Sequence, residues 1–95
     1  MNYRMVSLMI KNMNEAVAVE ARFDKEGTVI PTALTWEGRT YTISDLGRRW
    51  METEGSHQLY HCLVMTPTGE TFELCLNTAT LQWRILRVWE RPKAV

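Results

Sequence analysis

Apolar and polar residues alternate with a period of two along much of this chain, and this pattern constrains the fold more than any other feature. In residues 15–24, Val17, Val19 and Phe23 fall on one side, and most of the charged residues fall on the other. Such alternation predicts a β-strand with one buried face and one solvent-facing face. Residues 25–27 and 67–69 then carry the glycine and proline signals of turns between strands.

Repetition of this pattern predicts an all-β fold. We expect six antiparallel strands in meander order, forming a strongly twisted sheet or a small partly open barrel. Residues 59–66 are apolar on both faces, which is typical of a central strand. The chain of 95 residues is long enough for one core, so we expect residues 15–92 to form a single domain.

The sequence also predicts the register of one hairpin near the middle of the chain. Glu37 and Gly38 form a two-residue connection, and glycine supplies the positive φ of a type I′ turn. This turn places Trp36 opposite Arg39 and Leu34 opposite Tyr41. Leu34 and Tyr41 are then expected in the core, with Arg39 lying on the Trp36 indole at the rim.

A second register is predicted for the last hairpin. If residues 77–80 form a four-residue loop, Leu74 faces Trp83 and Phe72 faces Ile85. The same register places Glu73 opposite Arg84 and pairs the acid Glu70 with Arg87.

Two segments depart from the alternation. In residues 1–14 a methionine recurs at every fourth position, which predicts a short amphipathic helix, although the alternation of Val6, Leu8 and Ile10 leaves an extra strand open. Asp45 and Gly47 predict a bulge or a bend at the end of the third strand, and residues 51–58 are predicted to form a polar loop.

Charge and hydropathy bear on partners and location. Eleven basic residues balance eleven acidic residues, so no overall field draws the chain to nucleic acid or to an anionic membrane. No segment approaches the roughly 20 apolar residues that a membrane helix needs, and residues 1–14 lack the pattern of a signal peptide. We therefore expect a cytoplasmic protein that does not bind membranes.

Catalytic and metal-binding signatures are sparse. No serine lies in a nucleophile elbow, and the sequence has no P-loop, dinucleotide fingerprint or calcium loop. His57, His61 and Cys62, with Cys75 as a fourth ligand, are the only metal or redox candidates, but their spacing matches no zinc motif. We expect neither enzymatic activity, nor a cofactor, nor a bound metal.

Arginines and tryptophans interleave in two places and form a candidate binding face. Its residues are Arg48, Arg49, Trp50, Trp89 and Arg91. Arginines among aromatic residues on a small β-domain can bind single-stranded nucleic acid by stacking and charge, or can bind another protein. The sequence thus predicts a binding or accessory module, and the alternative is an oligomerising domain in which residues 1–14 contact a second copy.

The segments "TWEGRTYTISDLGRRW" and "FELCLNTATLQWRILRVWE" resemble a family of small uncharacterised bacterial domains that share a Trp-x-Gly-Arg-x-Tyr hairpin and a Trp-Arg pair in the last strand. The likeness spans residues 16–90, and the matching positions are Trp36, Gly38, Arg39, Tyr41, Trp50, Trp83 and Arg84. The family looks like a domain of unknown function that sometimes occurs near or within DNA-repair polymerase-like proteins. The resemblance implies an accessory role in nucleic-acid or repair complexes and no catalytic residues.

Overall fold

The computed structural model describes residues 9–90, in which it contains seven β-strands and no helix. All neighbouring strands pair antiparallel, so the all-β prediction is confirmed. The strands are β1 (Met9–Phe23), β2 (Val29–Trp36), β3 (Arg39–Thr42), β4 (Asp45–Glu54), β5 (His57–Met65), β6 (Thr71–Asn77) and β7 (Gln82–Glu90).

The strands form one sheet in the order β3-β2-β1-β7-β6-β5-β4. β3 and β4 lie at opposite edges although only Ile43 and Ser44 separate them in the chain. The Ile43 amide continues the β2–β3 ladder, and the Ser44 amide donates to Met65 on β5. The two edge strands do not pair, so the meander is not closed into a barrel. The structure has one strand more than predicted because the extended chain does not end at Asp45 and Gly47 but continues as β4, which contains the bulge that was one of the two alternatives there.

The sheet coils until its ends share one core. Phe72 on β6 meets Trp36 on β2 and Tyr41 on β3 edge to face, with ring centroids 5.6 and 5.2 Å apart. Because β1 and β7 separate β2 from β6 in the sheet, this contact requires strong curvature. The buried cluster consists of Leu34, Trp36, Cys62, Val64, Phe72, Leu74, Ile85 and Val88.

The helix predicted near the N-terminus is wrong for the part that the structure describes, and residues 1–8 lie outside that part. β1 begins at Met9, and its first half pairs with β7, whereas Ala18 and the residues after it pair with β2. Backbone pairing with β7 stabilises residues 9–14 as a strand, which overrides the helical spacing of the methionines. The strand alternative is therefore the observed one over these residues.

The middle hairpin has the predicted register. Trp36 pairs with Arg39 and Leu34 pairs with Tyr41, and the turn has φ angles of 50° at Glu37 and 74° at Gly38. The expected clasp at the rim is wrong, however. Trp36 is only 5% exposed, its indole NH donates to Glu15, and the Arg39 guanidinium lies over Tyr41 instead.

The predicted register of the last hairpin is wrong. Leu74 pairs with Ile85 and Phe72 pairs with Val88, and Glu73 forms its ion pair with Arg87 rather than Arg84. The turn residues are 78–81, and Leu81 adopts a positive φ of 61°. The turn shifts the observed register by two residues relative to the predicted one. A bulge in β7 opposite Glu73 and Leu74 shifts it by one more.

The polar loop expected at residues 51–58 is also absent. β4 continues to Glu54 and β5 begins at His57, so that only Gly55 and Ser56 form the turn. Gly55 has φ of 59°, as required at the first position of a type II′ turn. The hairpin therefore keeps Met51 in an edge strand.

Candidate functional site

The structure divides the predicted arginine and tryptophan face between the two faces of β4. Arg48 lies over the Trp50 ring on the outer face, with its guanidinium carbon 5.1 Å from the ring centroid. Arg49 pairs with Cys62, whose side chain belongs to the core, so Arg49 lies on the inner side. Arg48 and Trp50 share this face because they are two residues apart in the strand.

Trp89 does not join these residues. It lies on β7, opposite Thr71 and Ile10, and is half-buried. β7 and β4 are three strands apart in the sheet, which corresponds to about 14 Å at the usual strand spacing. Arg91 lies outside the described residues, as do residues 1–8, which carry most of the segment predicted to contact a second copy.

The outer face of β4, β5 and β6 holds a buried histidine. His61 is 4% exposed and stacks on Trp50, with ring centroids 5.0 Å apart and planes 5° apart. Its Nε2 lies 3.5 Å from a Glu52 carboxylate oxygen, and its Nδ1 lies 3.7 Å from a Glu73 oxygen. Carboxylates on both sides of the ring make this region a poor binding surface for a polyanion such as nucleic acid.

Of the metal or redox candidates, only His61 and Cys75 come together in this cluster, with Cys75 Sγ 3.9 Å from His61 Nε2. Cys62 faces the core, whereas His61 faces outward, so these neighbours cannot ligate one ion. Among residues 9–90, no group of three or more histidine, cysteine, aspartate or glutamate side chains is arranged to hold a metal ion. Burial raises the pKa of the Cys62 thiol to about 12 and also raises the pKa of Cys75, so both thiols remain protonated at neutral pH.

A second region, at the end of the sheet that carries the β1–β2, β4–β5 and β6–β7 turns, has the character of a binding site. It is a cleft of about 640 Å³, which we call the turn-end groove. This volume lies within the usual range for ligand sites. The groove is lined by Phe23, Gly27, Thr28, Val29, Arg49, Trp50, Met51, Tyr60, Leu76, Thr78 and Leu81.

Exposed apolar side chains converge on the turn-end groove. Phe23, Met51 and Leu81 are 60%, 53% and 67% exposed, and all three line it. Within residues 10–90, only two other large apolar side chains, Ile10 and Leu46, are exposed. Single exposed apolar residues are ordinary on protein surfaces, whereas a cluster around one cleft indicates an interaction site.

Arg49 is the one charged residue among those that line the groove. No carboxylate of residues 9–90 lies within salt-bridge distance of its guanidinium. Beside it, burial raises the pKa of Tyr60 while the Arg49 charge acts to lower it, and the protonated phenol donates to the Val29 carbonyl at 3.4 Å. The groove thus combines an apolar lining with one available positive charge.

Sequence reasoning named Arg49 and Trp50 but missed the apolar lining. The alternation places Phe23 on the buried face of its strand, but Phe23 is 60% exposed because β1 ends there, and Leu81 lies in the β6–β7 turn. Met51 falls in the stretch that the sequence predicts to be a polar loop. An apolar residue next to a turn signal was the available clue, and it appears at both Phe23 and Leu81.

Comparison with known proteins adds no assignment. A scan of protein-family models finds no match, and searches of curated proteins and of solved structures find no significant match. The family resemblance and the cytoplasmic location therefore remain predictions. No helix capable of spanning a bilayer occurs among residues 9–90.

Proposed function

We propose that this protein is a non-enzymatic binding module that takes an apolar segment of another protein, carrying a carboxylate, into the turn-end groove. The observation that carries the proposal is the convergence of Phe23, Met51 and Leu81 around a cleft whose one charged lining residue is Arg49. Burial of apolar surface would supply affinity, and the guanidinium would select an acidic partner.

Single-stranded nucleic acid fits these features less well. The groove offers one cation, whereas proteins that bind single strands track the backbone with several cations and stack bases on aromatic rings. Trp50 already stacks on His61, and two glutamates flank that histidine. A protein partner is therefore the better match, and an accessory role in a larger complex is consistent with it.

The test is selection of a random twelve-residue peptide library on the full chain. We expect enrichment of peptides that combine apolar residues with aspartate or glutamate. The best peptide should bind the Arg49→Glu variant at least about tenfold more weakly, because charge reversal replaces attraction by repulsion. Arg48→Glu is the matched control, since it makes the same charge change on the opposite face of β4, and it should bind like the wild type.

Two results would contradict the proposal. One is a selection that yields no peptide above the background of the bare support. The other is tight binding of an oligothymidylate at moderate salt that Arg48→Glu weakens more than Arg49→Glu, which would favour a nucleic-acid site on the outer face.

A further inference from the structure

The turn-end groove meets β4 along its edge rather than on one face. Arg49, Trp50 and Met51 all line the groove although they are consecutive in the strand. Successive side chains of a strand point to opposite faces, so a cleft on one face alone would be lined by every second residue. Contact with three consecutive residues therefore indicates a groove that follows the strand backbone.

The backbone of β4 is free along this edge. Within the described part of the chain, β4 is the last strand of the sheet and pairs with β5 alone. In the β4–β5 hairpin Glu54 pairs with His57 across a two-residue turn, so hydrogen-bonded pairs fall at alternate positions from Glu54. Met51 and Thr53 belong to the non-hydrogen-bonded pairs between them, so their amide and carbonyl groups point away from β5.

A contact on the far side of β5 supports this assignment. The Gln58 carbonyl accepts hydrogen bonds from the Thr78 amide at 3.1 Å and from the Thr78 hydroxyl at 2.8 Å. Gln58 is the partner of Thr53, and its carbonyl is directed away from β4. The contact thus shows independently that Thr53 and Gln58 form a non-hydrogen-bonded pair, so the Thr53 amide and carbonyl point away from β5.

The opposite wall of the groove is also a strand edge, formed by the start of β2. β3 pairs only with residues 33–36 of β2, so Val29 lies before the paired part of that strand. Val29 lines the groove, and the phenol of Tyr60, which also lines it, donates to the Val29 carbonyl. Two strand edges without a further strand partner in residues 9–90 therefore flank one apolar cleft.

We infer that the partner segment, whose existence rests on the proposed function, binds as an added antiparallel β-strand along the free edge of β4. Its main chain exchanges hydrogen bonds with Met51 and Thr53, and alternate side chains enter the groove opposite Arg49 and Met51. The occupant is an extended segment of another protein, with apolar residues at alternate positions and one carboxylate facing Arg49.

The test compares Met51→Pro with Met51→Ala, using the best peptide from the library selection. Both variants remove the methionine side chain, but only proline removes the free-edge amide, and proline is tolerated in edge strands where that amide is not paired. We expect Met51→Pro to bind the peptide about three- to tenfold more weakly than Met51→Ala, which corresponds to one lost hydrogen bond. Equal affinities of two folded variants would overturn strand addition while leaving groove binding intact.

Amide hydrogen exchange of the wild-type chain provides a second measurement that needs no variant. Saturation with the peptide should slow exchange at Met51 and Thr53, because each amide gains an acceptor. Unchanged exchange at both amides with the peptide bound would overturn strand addition. A selection that yields no peptide would instead remove the proposed function itself.

Discussion

Trp36 and Phe72 pack edge to face with ring centroids 5.6 Å apart, although β1 and β7 lie between their strands in the sheet. The contact joins the two ends of the coiled sheet around one core. It leaves the turn-end groove as a cleft at the opposite end of β2 from Trp36. The curvature that buries the core thus also positions the proposed binding site.

Replacement of Phe72 by alanine should remove about 3–5 kcal/mol of the free energy of unfolding, since its fully buried ring contacts both Trp36 and Tyr41. Urea unfolding measures the loss. Met51→Ala, at an exposed edge position, should change the same quantity by less than about 1 kcal/mol. Similar losses for the two variants would argue against Phe72 as the centre of the core.

The β2–β3 turn can be improved by one substitution. Glu37 has a φ of 50°, a conformation that asparagine adopts more readily than glutamate. Glu37→Asn should therefore raise the free energy of unfolding by about 0.5 kcal/mol. Gly38→Ala, at φ of 74°, should lower it by about 1 kcal/mol or more. A stabilising Gly38→Ala would contradict the type I′ turn.

Acid should weaken the fold partly through Glu70. Partial burial acts to raise the pKa of Glu70, but hydroxyl donors from Thr66 and Thr68 outweigh it and hold the pKa below its usual value of 4.5. A carboxyl whose folded pKa is depressed stabilises the fold above the unfolded pKa, and that stability disappears as pH falls through the folded value. The free energy of unfolding, measured from pH 7 to pH 3, should fall less steeply for Glu70→Gln than for the wild type.

Both thiols should react slowly in the folded chain. Burial raises the pKa of Cys62 to about 12, and burial, Glu52 and Glu73 together raise that of Cys75. Because the thiolate is the reactive form, iodoacetamide at pH 8 should modify both residues mainly after denaturation. Rapid modification of native Cys75, monitored by mass spectrometry, would reopen the redox interpretation.

The sequence predicted the parts of the fold that local chemistry determines. Glu37 and Gly38 specify their turn, and the β2–β3 register follows from that turn alone. The β6–β7 register could not be obtained in the same way. It depends on a positive φ at Leu81, a conformation that glycine or asparagine at this position would have indicated but leucine does not. It also depends on a bulge in β7 that the apolar–polar alternation does not reveal.

The candidate site was only partly predictable for a similar reason. Arg49 and Trp50 stand out by residue type, but their assignment to different faces depends on strand pairing with β5. The convergence of Phe23 and Leu81 depends on how the β1–β2 and β6–β7 turns meet at one end of a coiled sheet. Such long-range geometry is not encoded in the period of any single strand.

Backbone amide shifts of the full chain, recorded during titration with the selected peptide, test most directly whether the turn-end groove is the binding site. We expect the largest changes at Met51, Thr53, Tyr60 and Leu81, and small changes at Cys75 and Arg84 on the outer face. Saturable changes centred on Cys75 and Arg84, with the groove residues unaffected, would contradict the account.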